Sequence, residues 1–253
     1  MKTLFKLLKK SSCIYVDDEL RKDFCLKRFK ANKIRTFDAN SHYCLKNTIS
    51  HNLTAFEHFG VDFEMQRSKR LIFAVLADES INYNSKILIV GPRSENELIF
   101  LQSLGFKNVY GLDLISYSNL ITLGDMHSIP FSSNKFCSVI CGWTLSYSKT
   151  PRLAIREFSR VLKPSGCLAI GLEHAKRVEK SIRSCDSRLI DKNESLKNRI
   201  NSKKDILKLF PKNKIKYVNY VYDAELKQES TKNIFRKTGL HSSQVMVVLK
   251  INK

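Results

Sequence analysis

Strand-like and helix-like segments alternate between residues 86 and 174, and this alternation restricts the fold more than any other feature of the chain. In the segment "KILIV" at 86–90, Lys86 is followed by a continuous run of β-branched and leucine residues, which is typical of a parallel strand covered on both faces. A helical segment follows it and ends near Gly105, a position suited to a helix C-cap. Further strand-like runs occur at "NVYGLDL" and "KFCSVICGW". Strands and helices at this spacing predict βαβ units with right-handed crossovers.

Four further strand-like segments bring the predicted sheet to seven strands. They are separated by helical segments or turns, and two further helical regions are expected at 175–201 and 231–240. The sequence therefore predicts an α/β protein built on a Rossmann-like, doubly wound, mostly parallel sheet. The four segments are "ITLGDM", "GCLAIGLEH", "KIKYVNYVYD" and "SSQVMVVLKIN".

The first part of the chain lacks this alternation. We predict that residues 1–80 form an N-terminal extension of mixed, largely helical character, and that residues 81–253 form the α/β domain. Leu20 and Phe24 indicate a short amphipathic helix, and apolar residues between 71 and 76 fall on one helical face. The remainder of the first 50 residues carries no pattern that predicts a particular element.

Composition restricts the location of the protein. Hydrophobic residues make up 43 % of the chain, which is sufficient for a substantial core. No apolar run approaches the ~20 residues needed to span a bilayer. The first residues, "MKTLFKLLKK", lack the apolar stretch of a secretory signal peptide. These features predict a cytoplasmic protein without a membrane span.

The cysteines predict neither a disulfide framework nor a metal site. Their number is seven, which is odd, and no second Cys/His pair has the spacing of zinc ligands. Cys137 and Cys141 lie within an apolar run. We therefore expect reduced and mostly buried thiols.

The formal net charge is +20, and residues 171–253 contribute 20 Lys/Arg against 9 Asp/Glu. A basic surface attracts phosphates and nucleic acid. The lysines are dispersed among Asn, Ser and Ile, however, and no aromatic-basic RNA motif occurs. A lysine- and asparagine-rich composition from an AT-rich genome accounts for the charge equally well, so the nucleic-acid hypothesis depends on charge alone.

Loops after three predicted strands contain polar residues that could form one ligand site. Gly91 follows the first strand, Asp113 ends the second, and "GDMHSIP" at 124–130 follows the third. In open α/β sheets, ligands bind outside the carboxyl ends of strands where the strand order reverses. Asp113 lies 22 residues after Gly91, close to the separation at which an acidic side chain accepts hydrogen bonds from a ribose. The pattern therefore predicts a site for a nucleotide-like ligand.

The motifs in residues 86–174 resemble those of a known family. The segments "DMHSIPF", "NKFCSVI", "REFSRVLKPSG" and "CLAIG" occur in the order found in class I S-adenosylmethionine-dependent methyltransferases. The resemblance is strongest to the type 11 methyltransferases that include the enzymes of ubiquinone biosynthesis. It directly covers roughly a third of the chain and implies S-adenosyl-L-methionine as cofactor.

Two departures from the family pattern stand out. The first loop of the family is glycine-rich, E/DxGxGxG, whereas this chain has "IVGPRSENE", in which Gly91 alone matches. The aspartate of the family's "FD" pair is replaced by Cys137. We interpret the "GPR" loop as a variant in which Arg93 contacts the carboxylate of the cofactor. The alternative is that Pro92 and Arg93 close the cofactor site.

The resemblance also implies roles for individual residues. Trp143 would lie at the rim of the active site, with a core aromatic as the alternative. Four residues near strand ends are candidates for a catalytic base, namely His127, Tyr147, Glu173 and His174. The cofactor-binding residues implied are Gly91 in the loop, Arg93, Asp113 at the ribose, Leu114 beside the adenine, Asp125 and Met126 in contact with it, and Trp143.

The sequence thus leads to a first hypothesis and two alternatives. The first is an S-adenosylmethionine-dependent methyltransferase that acts on a small-molecule, sugar or lipid-linked acceptor. The second is a non-catalytic, methyltransferase-like domain that binds a partner or a glycan precursor. The third is a nucleic-acid methyltransferase, although "CGWTLSY" stands where many such enzymes carry an "NPPY"-like motif.

Overall fold

The computed structural model describes residues 18–38, 43–59, 68–175, 200, 202–211, 213–223 and 242–252. The helix predicted at 231–240 and most of the helical stretches predicted at 175–201 lie outside these ranges.

Helices and strands are interspersed along the described chain. The described ranges also contain a 3₁₀ turn, Leu145–Tyr147. The elements in chain order are α1 (Asp18–Ala31), β1 (Arg35–Thr36), α2 (Tyr43–Phe59), α3 (Ser68–Leu76), β2 (Lys86–Val90), α4 (Asn96–Ser103), β3 (Asn108–Asp113), β4 (Ile115–Ser116), β5 (Ile121–Leu123), β6 (Phe136–Gly142), α5 (Pro151–Val161), β7 (Leu162–Ala175), α6 (Lys203–Leu207), β8 (Ile215–Asp223) and β9 (Ser242–Ile251).

Seven of these strands form one mixed sheet in the order β5-β3-β2-β6-β7-β9-β8. The first five in this order run parallel to one another, whereas β9 is antiparallel to both of its neighbours. The chain moves from β2 outward to β3 and β5, and then returns to β6 on the other side of β2. The strand order therefore reverses between β2 and β6, and this fold opens its ligand crevice at such a point. The predicted Rossmann-like, mostly parallel seven-stranded sheet and the helical N-terminal segment are confirmed.

Both faces of the sheet are covered by apolar side chains. In β2, Leu88 and Val90 join the core on the side of α5, whereas Ile87 and Ile89 join the core on the side of α3 and α4. Successive residues of a strand point to opposite faces, so a strand buried on both sides must be apolar throughout. This requirement explains the uninterrupted apolar run "ILIV" at 87–90.

The N-terminal helices pack on the connection between β3 and β5. Cys25 of α1 and Ile49 of α2 are buried in one cluster with Ile99, Ile115 and Tyr117. The short strand β1 pairs antiparallel with β4, which lies directly after Asp113. Residues of the extension therefore reach the end of β3.

A buried ion pair joins the C-terminal hairpin to the turn after α3. Lys250 of β9 donates to Asp78 at 2.7 Å, and Asn219 of β8 donates to the other carboxylate oxygen at 2.6 Å. Burial alone would raise the pKa of Asp78, but the hydrogen bonds from Lys250 and Ser80 outweigh burial and lower it. The pair thus fixes the edge of the sheet opposite to β5.

The thiols of Cys25, Cys141 and Cys167 are buried, and burial raises the pKa of each to about 12. These thiols remain protonated and unreactive near neutral pH.

In the described ranges, no helix has the length and apolar character needed to cross a membrane. No cluster of His, Cys, Asp and Glu side chains in these ranges could hold a metal ion.

Candidate functional site

The loop after β2 turns sharply at Gly91. The backbone φ of Gly91 is +70°, and its N–H donates to the carbonyl of Leu112 at 2.8 Å. A Cβ atom at this position would lie 2.1 Å from Oγ1 of Thr144, in the loop after β6. Glycine is therefore required here both by the left-handed conformation and by the close approach of the two loops.

Arg93 and Asp113 link this loop to the end of β3. Arg93 has a φ of +52°, and its backbone N–H donates to Oδ2 of Asp113 at 2.8 Å. The other carboxylate oxygen accepts from the N–H of Ile115 at 3.3 Å. Asp113 is 5 % exposed. Burial raises its pKa, and the backbone donors of Arg93, Ile115 and Leu114 oppose this rise.

Asp113 therefore has two roles that its chemistry allows together. It holds the "GPR" loop in place by accepting backbone hydrogen bonds. Each carboxylate oxygen can accept more than one hydrogen bond, so the group retains capacity for the hydroxyls of a ligand.

Glu95, in the same loop, is directed into the protein. It is fully buried and accepts two hydrogen bonds from Arg28 of α1, at 2.8 and 2.9 Å. The hydroxyl of Ser118 also donates to its carboxylate, and its backbone N–H donates to the Tyr117 hydroxyl at 3.1 Å. Glu95, which stands in the loop that lacks the family's later glycines, thus connects this loop to the N-terminal extension. The sequence pattern assigned it no such role.

A second contact between α1 and this region lies beside the first. Arg21 is 1 % exposed, donates to Asn96 at 3.4 Å and lies 4.8 Å from the centre of the Phe100 ring. Its charge is balanced by an ion pair with Asp18. Two arginines of α1 are therefore committed to the start of α4 and the loop before it.

The loop after β5 contains a connected chain of polar side chains. Asp125 Oδ1 accepts from the backbone N–H of His127 at 3.0 Å and lies 2.6 Å from His127 Nδ1. The other ring nitrogen, Nε2, lies 2.6 Å from Ser148 Oγ. Ser148 follows β6, so this chain joins the loops after two different strands.

The turn after His127 is held by the helix α5. Glu157 accepts from the N–H of Ile129 at 2.9 Å, and Arg160 donates to the carbonyls of Ile129 and Phe131, both at 2.8 Å. Glu157 also pairs with Arg160, and the hydrogen bond from Arg160 is the main reason that the pKa of Glu157 is lowered. The acidic and basic residues of "REFSRVLKP" thus fix the "SIPF" turn.

Trp143 and Tyr147 lie in the loop after β6. Trp143 has a φ of +58°, and its N–H donates to the carbonyl of Gly171 at 2.8 Å. Its ring is 8 % exposed and belongs to the core on the side of α3, which favours the core-aromatic interpretation. Tyr147 is 37 % exposed, and its ring centre lies 6.0 Å from that of His51 in α2.

The remaining candidates lie in or near the carboxyl ends of the strands. Leu114 and Met126 are half-buried and pack against hydrophobic clusters. The carbonyl of Leu114 accepts from the N–H of Phe37 at 2.7 Å. His174 lies in β7 opposite Ser243 of β9, and the position of its side chain is outside what the structure describes. The sequence candidates from Gly91 to Met126 therefore occupy loops at the carboxyl ends of the adjacent strands β2, β3 and β5.

Comparisons with known proteins agree with this architecture. Residues 88–170 match the family model of a methyltransferase domain, type 11. The fold is similar to that of the Haloferax volcanii protein solved in complex with the Trm112 methyltransferase activator, with a TM-score of 0.53 and 14% identity over 80% of this chain and 98% of that one. Geranyl diphosphate C-methyltransferase from Streptomyces coelicolor, solved with S-adenosyl-L-homocysteine, gives a TM-score of 0.51 and 13% identity over 76% and 82%.

The same fold also occurs in a protein with another activity. The [4+2]-cyclase SpnF gives a TM-score of 0.51 and 13% identity over 74% of this chain and 81% of that one. No curated protein sequence matches the chain. At these identities the structural likeness shows the fold alone, and the family match shows that residues 88–170 are similar to a methyltransferase domain. The reaction must be argued from the site itself.

Proposed function

We propose that the protein is an S-adenosylmethionine-dependent methyltransferase that acts on a small-molecule, sugar or lipid-linked acceptor. One observation carries the proposal: loops with Gly91, Asp113 and Asp125 meet at the carboxyl ends of β2, β3 and β5, beside the reversal of strand order. The family match covers all three of these residues. We also infer that the chain is of the ubiquinone-biosynthesis type, as a subgroup with a "GPR" loop.

The chemistry of the side chains fits the cofactor. The buried carboxylate of Asp113 would accept hydrogen bonds from the ribose hydroxyls. Arg93 would pair with the methionine carboxylate. Leu114, Asp125 and Met126 would contact the adenine. Trp143, in the loop after β6, would border the cofactor site.

The contacts of the "GPR" loop support cofactor binding because they hold the loop in one conformation. The N–H of Arg93 donates to Asp113, and Glu95 anchors the loop through Arg28. A loop held at both points is ordered before the ligand arrives, and preorganisation lowers the entropic cost of binding. The missing glycines are therefore replaced by specific contacts.

The bound cofactor would supply a methyl group already activated on a sulfonium. The residues of this chain would then need to align the acceptor with that methyl group and exclude water, which can account for much of the rate. A base is required only when the acceptor loses a proton. The class of acceptor proposed here is shared with the Streptomyces coelicolor enzyme, which was solved with geranyl diphosphate.

Calorimetric titration with S-adenosylmethionine and with its demethylated product tests the proposal. We expect both to bind to the folded chain. Asp113→Ala should weaken binding by about 1–3 kcal/mol, the range for loss of a buried hydrogen-bond partner of a charged group. Glu79→Ala is a matched control, because this carboxylate is exposed and precedes β2 at the opposite end of the strand.

The non-catalytic hypothesis predicts a different titration. The cyclase with the same fold shows that the fold alone does not require methyl transfer. If the folded protein binds neither compound at millimolar concentration, the enzyme hypothesis is wrong. If Asp113→Ala leaves the affinity unchanged, the ribose has been assigned to the wrong residue.

A further inference from the structure

We propose that Asp125, His127 and Ser148 form a proton relay, and that the methyl acceptor is therefore a compound whose hydroxyl group must lose its proton. The inference deepens the proposed function and rests on it. It depends on side chains from two loops that the strand order brings together.

The hydrogen-bond geometry defines the direction of the relay. Oδ1 of Asp125 lies 2.6 Å from His127 Nδ1, and an ionised carboxylate can only accept a hydrogen bond. Nδ1 therefore carries a proton, and in the neutral imidazole this arrangement leaves the lone pair on Nε2. In that form, the hydroxyl of Ser148, with Oγ 2.6 Å from Nε2, donates a hydrogen bond to His127.

The oxygen of Ser148 is held in this orientation by the backbone. The N–H of Thr150 donates to Oγ at 3.1 Å, so the hydroxyl hydrogen is directed to the imidazole. A serine oxygen has two lone pairs, and the second can accept a hydrogen bond from an acceptor hydroxyl. The side chains of His127 and Asp125 are 15% and 17% exposed, so they lie close to the surface but are largely shielded from bulk water.

The relay sits between the loop assigned to the adenine and the loop after β6. The latter also contacts Gly91 through Thr144. An acceptor placed between these loops would meet Ser148 on the side of the cofactor loops. Tyr147, next to Ser148 in the chain, is exposed.

The proposed step balances as follows. The acceptor oxygen forms a bond to the methyl carbon, and the bond between that carbon and the sulfonium sulfur breaks, leaving a neutral thioether. The acceptor proton passes to Ser148 Oγ while the proton of Ser148 passes to His127 Nε2. The resulting imidazolium is stabilised by Asp125 and later releases its proton to water. Ser148 is the catalytic residue in this scheme, and Asp125 is a positioning residue.

The nucleophilic reactivity of the Ser148 hydroxyl tests the relay without any methyl acceptor. A hydroxyl that donates to a neutral imidazole oriented by a carboxylate is a stronger nucleophile than an ordinary serine. A fluorophosphonate probe should therefore label Ser148: the oxygen bonds to phosphorus, fluoride leaves, and the proton moves to His127. Labelling is followed by mass spectrometry of the full chain.

The variants distinguish a relay from a structural contact. Ser148→Ala should abolish labelling at this position. His127→Gln should lower the labelling rate by about 100-fold or more, in the range for loss of a general base, and Asp125→Asn should lower it as well. Ser146→Ala, in the same loop, is the matched control and should leave the rate unchanged. Thermal unfolding of each variant shows that the fold is retained.

Two results would overturn the inference. One is the absence of Ser148 labelling in the folded wild-type protein, and the other is a labelling rate that His127→Gln does not change. The assay needs no cofactor, so it is independent of the calorimetric test. Labelling that depends on His127, combined with no binding of S-adenosylmethionine, would contradict the proposed function and leave the activated serine in place.

Discussion

Gly91→Ala is expected to lower the free energy of unfolding by about 2–4 kcal/mol, from the strain of a left-handed alanine together with overpacking. The added Cβ would lie 2.1 Å from Oγ1 and 2.5 Å from Cγ2 of Thr144. The loops after β2 and β6 would have to separate to relieve this clash. Because both loops border the proposed cofactor site, binding of S-adenosylmethionine should be lost together with stability. Urea unfolding and calorimetry measure the two effects.

Gly142→Ala is the matched control for this change. Gly142 lies at the end of β6, and its added Cβ would meet Leu71 alone, at an ordinary contact distance of 3.9 Å. We expect a much smaller loss of stability. Equal effects of the two substitutions would contradict the role assigned to the contact between Gly91 and Thr144.

Glu95→Ala is expected to lower the free energy of unfolding by about 2–4 kcal/mol. Removing one partner of a buried ion pair typically costs about 3–5 kcal/mol, and the loss is reduced here because Arg28 is 36% exposed. The substitution also removes the acceptor of the Ser118 hydroxyl. The measurement is urea unfolding, combined with limited proteolysis, in which α1 should become susceptible to cleavage.

The control for Glu95 is a carboxylate of α1 itself. Glu19 pairs with Lys22, and its side chain is 75% exposed. Exposed ion pairs contribute little to stability, so Glu19→Ala should change neither the unfolding curve nor the cleavage of α1 appreciably. If Glu95→Ala is as mild as Glu19→Ala, the buried pair does not anchor the extension.

The architecture of the sheet could be predicted from the sequence because its signals are local. After Lys86, the strand β2 is apolar at every position, "ILIV", since it is buried on both faces. Asp113 ends β3, and "GDMH" directly follows β5. The order of these segments was enough to place Gly91, Asp113 and Asp125 at the carboxyl ends of neighbouring strands. Regular spacing and strand ends are features that a single sequence displays.

Contacts between distant residues could not be predicted in the same way. Glu95 meets Arg28 across 67 positions, and neither residue stands in a pattern that distinguishes it from a solvated charge. The helix α2 was not predicted because Asn, Thr, Ser and His have modest helix propensity. Its inward residues, Leu45, Ile49 and Leu53, pack against the same hydrophobic cluster, so tertiary contacts stabilise it.

The candidate site shows the same limit. His127 was a candidate base by its position in a loop, but the sequence gave no reason to pair it with Ser148, 21 residues away. Trp143 has a positive φ, and no pattern of residue types in the sequence predicts that backbone conformation. Loop conformation thus decides which candidates face a ligand, and loops lack the periodicity that identifies helices and strands.

Hydrogen–deuterium exchange of the full chain, with and without saturating S-adenosylmethionine, tests most directly whether the three loops form one cofactor site. We predict slower exchange in all three segments, 91–97, 113–118 and 124–128, and little change in β8 and β9. Binding that protects other segments while leaving these three unchanged would contradict a cofactor site at the ends of β2, β3 and β5.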